Sequence, residues 1–232
     1  MVSADLDTPP RLKSHSEARQ AAERYAEGLR PGVIERDRAG ADRIPHQELA
    51  AFDRSGLLAL TIPEEHGGSG LGPSTLAEVT QIIAAVDPAI AQGPQGHYLF
   101  LDVILALGNE QQKQRLLGDV LAGKRIANAL AERGGANAQD LKTRISGAPL
   151  AGAEPTASTG PITLNGKKYY TTGSLTAHRI AVSALDAEDR LLIAFVERDQ
   201  PGVKLDTDWD VMGQRATVSG SITFEDVELD PA

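Results

Sequence analysis

The chain has 232 residues, of which 41% are hydrophobic and 24% charged, with a net charge of −9 and no cysteine. This balance fits one large or two small globular domains; it excludes disulfides and thiolate catalysis, and the acidity argues against nucleic acid as a partner. No stretch approaches the ~20 apolar residues of a membrane span, and the N-terminus "MVSADLDTPPRLK" has acidic residues and prolines where a secretion signal needs an apolar core, so no membrane partner and a cytoplasmic setting are expected.

The first half reads as helices. "SEARQAAERYAEGL" is rich in Ala, Glu and Arg and spaces Ala22, Tyr25 and Leu29 along one face. "PHQELAAFDRSG" gives a shorter helix with Leu49 and Phe52, closed by Gly56. In "TLAEVTQIIAAVDP", Thr75 and Glu78 have capping-box spacing, Leu76, Val79, Ile82, Ile83 and Val86 form the stripe, and Asp87-Pro88 stops it. A long apolar segment runs from Pro88 to Gly108, and Asn109 with Gln112 opens a further helix that ends near Gly123.

Near Lys124 the periodicity changes. "RIANALAE" is a short apolar run and "DLKTRIS" alternates. "PITLNGKKYYTTG" carries two β-branched or aromatic runs about an Asn-Gly pair, the strongest short hairpin signal. "RIAVSALDAEDRLLIAFVERD" supplies two strands around a polar turn, Pro201-Gly202 makes another turn, and "GSITFEDVEL" reads as a final strand. Helices followed by strands predict an α+β chain with a helical domain over 1–124 and a β-domain over 125–232. The patch "SGAPLAGAEPTASTGP" reads as a mobile loop in the second domain.

Four motifs in order carry a family resemblance. "LTIPEEHGGSGLG" resembles the Pro-Glu-Glu-aromatic-Gly-Gly-Ser-Gly-Leu loop of the acyl-CoA dehydrogenase superfamily, with His66 at the aromatic position. "NALAERGG" stands at that family's flavin strand, "LNGKKYYTTG" resembles its Asn-Gly-X-Lys-X-Trp-Ile-Thr segment, and "WDVMGQRATVSGSITFEDVEL" resembles its Met-Gly-X-Arg segment and closing β-domain strand. Asn128, "ERGG" and "WDVMGQRATVSGS" are similar to the sulfur-acquisition oxidoreductases and dibenzothiophene monooxygenases within it. The resemblance implies a helical domain, a β-barrel or sandwich domain and a C-terminal four-helix bundle. This sequence stops at "FEDVELDPA", where the bundle would begin, so apolar faces are expected to be exposed on both domains.

The implied cofactor is a flavin, with FMN preferred and FAD as the alternative. By motif, the backbone around Leu130 and Ala131 would meet the pyrimidine edge of its ring. Thr172 would approach N5, and Tyr170 would take the tryptophan position against the ring. Read without the resemblance, Tyr170 and Thr172 are a plain cross-strand surface pair. Asn128, Trp209 and Ser219 match positions near flavin or substrate; their alternatives are a strand-end polar group, a domain-packing aromatic and a turn serine. His97 falls on the helix that approaches the flavin and is the candidate catalytic residue, able to donate to activated oxygen or to deprotonate a substrate; the alternative is a core or helix-surface histidine. Ala131 stands where dehydrogenases have a threonine, and Arg133 with "GGANAQ" replaces their pyrophosphate seat, which favours the mononucleotide. Glu132 matches a glutamate that is not the base, and Arg215 is either a structural ion pair or a ligand contact. The five histidines are scattered, and no metal set is visible. The implied activity is a monooxygenase using reduced FMN and oxygen on a small sulfur-containing molecule, with a flavin reductase as partner and homo-oligomers as in the family. An FAD-dependent acyl-CoA dehydrogenase and a truncated, non-catalytic remnant are the competing readings.

Overall fold

A computed structural model describes residues 8–137, 140–147 and 161–230. Most of the Gly-, Ala- and Ser-rich patch read as a loop lies outside these residues.

Among the described residues, seven α-helices come first. Helix α1 (His15–Leu29) starts where Ser14 accepts from the Glu17 amide, and it buries the expected face of Ala22, Tyr25 and Leu29. Helix α2 (Val33–Ala39) was not legible from periodicity. It opens on left-handed Gly32, and its Arg36 is buried against Asp87, with Nε and Nη2 at 3.0 and 2.9 Å from Oδ2. Helix α3 (His46–Asp53) follows. Helix α4 (Pro73–Ala84) begins before the expected capping box; Thr75 lies buried in its first turn, where its hydroxyl meets His15 Nδ1 at 3.0 Å. Asp87-Pro88 ends this run as expected and also starts α5 (Pro88–Gln92), with Asp87 accepting from the Ile90 amide. Helix α6 (Gln95–Leu107) and helix α7 (Glu110–Leu121) complete the set, and Asn109 and Gln112 form a reciprocal capping box on α7.

The strands are β1 (Ile126–Ala129), β2 (Arg144–Ser146), β3 (Thr163–Lys168), β4 (Arg179–Leu185), β5 (Leu191–Glu197), β6 (Val203–Leu205) and β7 (Ile222–Glu228). They form one mixed sheet in the order β1-β4-β2-β3-β7-β6, with β5 paired to β4. The sheet curls into a half-barrel. The β4–β5 hairpin forms around the expected polar turn, in register from Arg179↔Glu197 to Leu185↔Leu191.

The Asn-Gly pair is a correction to the sequence reading. Asn165-Gly166 is not a turn; it sits inside β3, which pairs antiparallel with both β2 and β7. The register shifts between Leu164 and Gly166, as in a β-bulge. Gly166 has φ 151°, and a Cβ there would stand 2.4 Å from the Thr143 hydroxyl. Asn165 instead exchanges two hydrogen bonds with Asp226, donating Nδ2 to its carboxylate and accepting its amide.

One apolar cluster fills the helical half and another the sheet; the first extends to Ile126, Ala181 and Ala216 of the β-half. Helix α6 is the joint between them. It packs on β1, and Phe100 meets Phe195 of β5 edge to face at 6.0 Å. Leu99 and Leu107 on α6, and Leu191 on β5, are more than half exposed. No helix of the described residues is long and apolar enough to cross a membrane.

Candidate functional site

Where the start of α6 crosses the end of β1, the two backbones approach closely. A Cβ on Gly96 would lie 2.8 Å from Asn128 Oδ1, so only glycine lets the Asn128 amide sit there. The gap beside this crossing is a cavity of about 370 Å³ lined by Gln92, Gln95, Gly96, Leu99, Asn128, Leu130 and Thr172. Leu99 and Leu130 also wall a second cavity of about 860 Å³, whose other apolar residues include Val103, Leu141 and Ile193. Three of the residues singled out from sequence, Asn128, Leu130 and Thr172, therefore converge on one space. Its lining combines the apolar Leu99 and Leu130 with the amides of Gln92, Gln95 and Asn128 and the hydroxyl-bearing Thr172.

The segment after β3 brings Thr172 to the cavity; the two residues before it do not line it. Tyr169 donates its amide to the Ala131 carbonyl at 2.9 Å, an isolated bridge that fastens this segment to the chain beyond β1. Tyr170 then turns left-handed, φ 59°, a conformation that costs a non-glycine residue of order 1 kcal/mol and that aims its ring outward, about half exposed. That ring meets Trp209 edge to face at 5.9 Å, and the Arg133 guanidinium lies over it at 5.3 Å and over Tyr169 at 4.2 Å. Arg133, noted as a departure from the dehydrogenase pattern, thus stacks on the two tyrosines. Trp209 is held by its indole N–H, which donates to the Gln214 carbonyl at 2.8 Å. It borders a separate groove of about 690 Å³ against Arg38 and Asp42. Ala131 is exposed and does not line the first cavity.

Behind Thr172 lie three hydroxyls in a row. Thr172 Oγ1 is 2.8 Å from Ser219 Oγ, Ser219 Oγ is 2.7 Å from Thr217 Oγ1, and Thr217 donates to the Gln214 carbonyl at 2.9 Å. Backbone bonds lace the same two segments: Thr171 donates to Gly220 and Gly173 to Thr217. Between Thr217 and Ser219, Val218 is left-handed at φ 45°, a strained position for a β-branched residue. Ser219 is buried and reaches the cavity only through Thr172.

Below the cavity, Glu132 clamps the chain that leaves β1. Its carboxylate accepts from the Lys168 ammonium at 2.7 Å, the Thr143 hydroxyl at 2.6 Å, and the amides of Lys142 and Thr143. Desolvation pushes the acid up, but these donors outweigh it and hold its pKa at about 2. Lys168 and Ser183 both donate to the Leu130 carbonyl, so the clamp fixes the strand end that forms the cavity wall. Glu132 is thereby held as a carboxylate within the fold; its motif implies only that it is not the base.

His97 is revised. The cavity side of α6 carries Gln95, Gly96 and Leu99, and His97 points into the core with no exposed surface. Its Nδ1 accepts from the Ile126 amide at 3.2 Å, which leaves the proton on Nε2 to donate to the Leu58 carbonyl at 3.0 Å. Burial lowers its pKa to about 4, so it is neutral and fully engaged. A proton-transfer role needs an accessible nitrogen, and this ring has none. Arg215 is an ion-pair residue, bonded to Asp210 and lying 3.4 Å from Asp37 of α2. Sequence reasoning missed Gln92, Gln95 and Gly96; Gln95 and Gly96, four and three residues ahead of Leu99 on α6, could have been found from helical spacing, whereas Gln92 ends α5 and gave no such signal.

The family models of the acyl-CoA dehydrogenase N-terminal and middle domains match residues 13–124 and 129–227. Dibenzothiophene monooxygenase of Rhodococcus erythropolis is 28% identical over 227 residues, covering 96% of this chain and 52% of that protein. The probable FMNH2-dependent monooxygenase SfnC of Pseudomonas putida is 31% identical over 232 residues, covering 99% and 53%. Among solved structures, FMN-bound TdsC of Paenibacillus sp. A11-2 superposes with a TM-score of 0.80 at 31% identity, covering 92% of this chain and 52% of that one. The chain thus spans about half the length of the relatives it matches.

Proposed function

Since this chain belongs to the acyl-CoA dehydrogenase family, we propose that it acts as a flavin-dependent monooxygenase, using reduced FMN and oxygen on a small sulfur-containing or related substrate. The observation that carries the reading is the convergence of Asn128, Leu130 and Thr172 on one cavity, in a chain similar to FMN-bound TdsC and to SfnC. The residues fit a flat tricyclic ring. Leu99 and Leu130 offer apolar faces, Asn128 and Thr172 offer polar atoms at its edge, and the space is of the size that small-ligand sites have. When bound, reduced flavin supplies the electron pair that lets one oxygen atom enter the substrate while the other leaves as water.

In this reading Thr172 meets the ring at N5, the chain at Leu130 and Ala131 meets its pyrimidine edge, and Tyr170 with Trp209 closes one side. Asn128 orients the ring or the substrate, and Ser219 acts behind Thr172. His97 is a positioning residue that fixes α6 to β1. We place the domain boundary at residues 124 and 125, supported by the change from α7, ending at Leu121, to β1, starting at Ile126. A diffusible reduced cofactor calls for a flavin reductase as partner. A homo-oligomer and a cytoplasmic setting complete the proposal.

The test is a titration of the chain with FMN and FAD, each oxidised and reduced, followed by flavin absorbance. FMN is expected to saturate one site, and Thr172→Ala to weaken it about tenfold, the effect of one lost hydrogen bond. A preference for FAD would favour the dehydrogenase reading instead. Binding of neither flavin by the folded chain would overturn the proposal.

A further inference from the structure

The three hydroxyls behind the cavity have a direction, and it is forced. Each of the contacts Thr172–Ser219, Ser219–Thr217 and Thr217–Gln214 brings two oxygens within 2.7–2.9 Å, a distance that needs a proton between them. Three contacts share three hydroxyl protons. The carbonyl of Gln214 has none to give, so Thr217 donates to it. The Thr217–Ser219 contact must then use the proton of Ser219, and the Thr172–Ser219 contact that of Thr172. Ser219 and Thr217 are buried, which leaves their protons no water to turn towards. Thr172 therefore faces the cavity with its lone pairs only.

We propose that this row of hydroxyls makes Thr172 an obligate hydrogen-bond acceptor, and that Thr217, which does not touch the cavity, thereby selects the oxidation state of the ligand. The inference rests on the flavin reading above. The N5 atom of a reduced flavin carries a hydrogen and donates; the N5 of an oxidised flavin has a lone pair and can only accept. An acceptor at this wall bonds the first and repels the second. The cavity is then built for the dihydro form by the orientation of three protons and needs no charge to do so. Thr217 is a positioning residue in this account, because it sets the donor or acceptor character of Thr172 through Ser219.

The prediction concerns a ratio of affinities, which separates it from simple damage to the site. In anaerobic titrations of the 232-residue chain, reduced FMN is expected to bind about tenfold more tightly than oxidised FMN, one hydrogen bond against none. By linkage, a tenfold preference raises the two-electron midpoint potential of the bound flavin by about 30 mV. Thr217→Val removes the terminal donor at nearly constant shape. The Gln214 carbonyl keeps the Trp209 indole and the Thr217 backbone amide as donors, so the turn is retained. Ser219 can then donate to Thr172, the Thr172 proton turns to the cavity, and the ratio falls towards one as oxidised FMN binds better. Thr217→Ser restores the wild-type ratio. Ser219→Ala interrupts the row at a second place with the same expected fall, and it decides the matter if Thr217→Val does not fold. An unchanged ratio in the folded variants, with FMN still bound, overturns the relay and leaves the flavin site standing. A wild-type preference for oxidised FMN overturns it equally. Binding of neither form removes the flavin reading and this inference with it.

Discussion

Two polar networks lie within a few residues of β1, and they end differently. The one on the helical side closes on itself. Arg125 donates to Asp53 of α3 at 2.8 Å and to the carbonyl and hydroxyl of Thr176, while His97 spans the Leu58 carbonyl and the Ile126 amide. Only Nη1 of Arg125 lacks a partner. The network on the side of the segment after β3 runs from the Gln214 carbonyl outward and stops at Thr172, which lines a cavity and has lone pairs remaining. A closed network spends its hydrogen bonds on joining two halves of a chain. A network with one free end has something left for a ligand. Residue type alone does not separate them, since the histidine belongs to the closed network and the plain hydroxyls to the open one.

The largest effect expected from breaking this contrast is on the closed side. Asp53→Ala strands the buried Arg125 guanidinium and should cost about 3–5 kcal/mol in denaturant unfolding, with the FMN redox preference unchanged in whatever folds. A loss below about 1 kcal/mol would mean that the pair does not join the domains.

His97 comes next. Its folded pKa of about 4 lies below the usual 6.5, so its contribution is complete above pH 6.5 and is lost as the pH falls towards 4. That window is worth about 3 kcal/mol, at 1.36 kcal/mol per unit. His97→Leu should lower stability at neutral pH by about 2 kcal/mol, since it strands one amide and one carbonyl, and should flatten the stability profile between pH 6.5 and 4. A variant of unchanged stability that loses only turnover would return His97 to the catalytic role expected from sequence.

Glu132 gives a smaller effect in a different window. Its depressed pKa contributes stability that is present above pH 4.5 and disappears as the pH approaches 2. Glu132→Gln should remove that acid-side slope and cost about 1–3 kcal/mol at neutral pH by leaving Lys168 buried without its counter-charge. Equal slopes for the variant and the wild type would show that the clamp is not ionised. The smallest stability effect belongs to the open end. Thr172→Ala should change unfolding by less than about 1 kcal/mol while weakening FMN about tenfold, if its hydroxyl serves the proposed ligand more than the fold.

What was legible in the sequence followed the range of the interaction that decides it. The α1 stripe, the Asn109–Gln112 cap, the polar turn between β4 and β5 and the final strand depend on neighbours in sequence, and they stand as read. Helix α2 is short and charged, and it is secured by Arg36 reaching Asp87, 51 residues away. The Asn-Gly pair carries a strong local turn signal, yet strands on both sides of β3 and the close approach of Thr143 make it a bulge. The motif resemblance singled out His97 on α6, but which face of α6 meets β1 is settled only by packing. Thr217 offered no signal at all, because its effect passes through Ser219 to a residue 47 positions from that serine.

Trp209 is the single tryptophan of the chain and packs on Tyr170, two residues before Thr172, so its fluorescence reports on the segment that carries Thr172. The most direct measurement is therefore tryptophan emission during anaerobic titration with reduced FMN, for the wild type and Thr172→Ala. The account predicts saturable quenching in the wild type, with the midpoint moved about tenfold to higher FMN in the variant. Quenching with the same midpoint in both, or none in a folded chain, would contradict the claim that Thr172 and its segment hold the flavin.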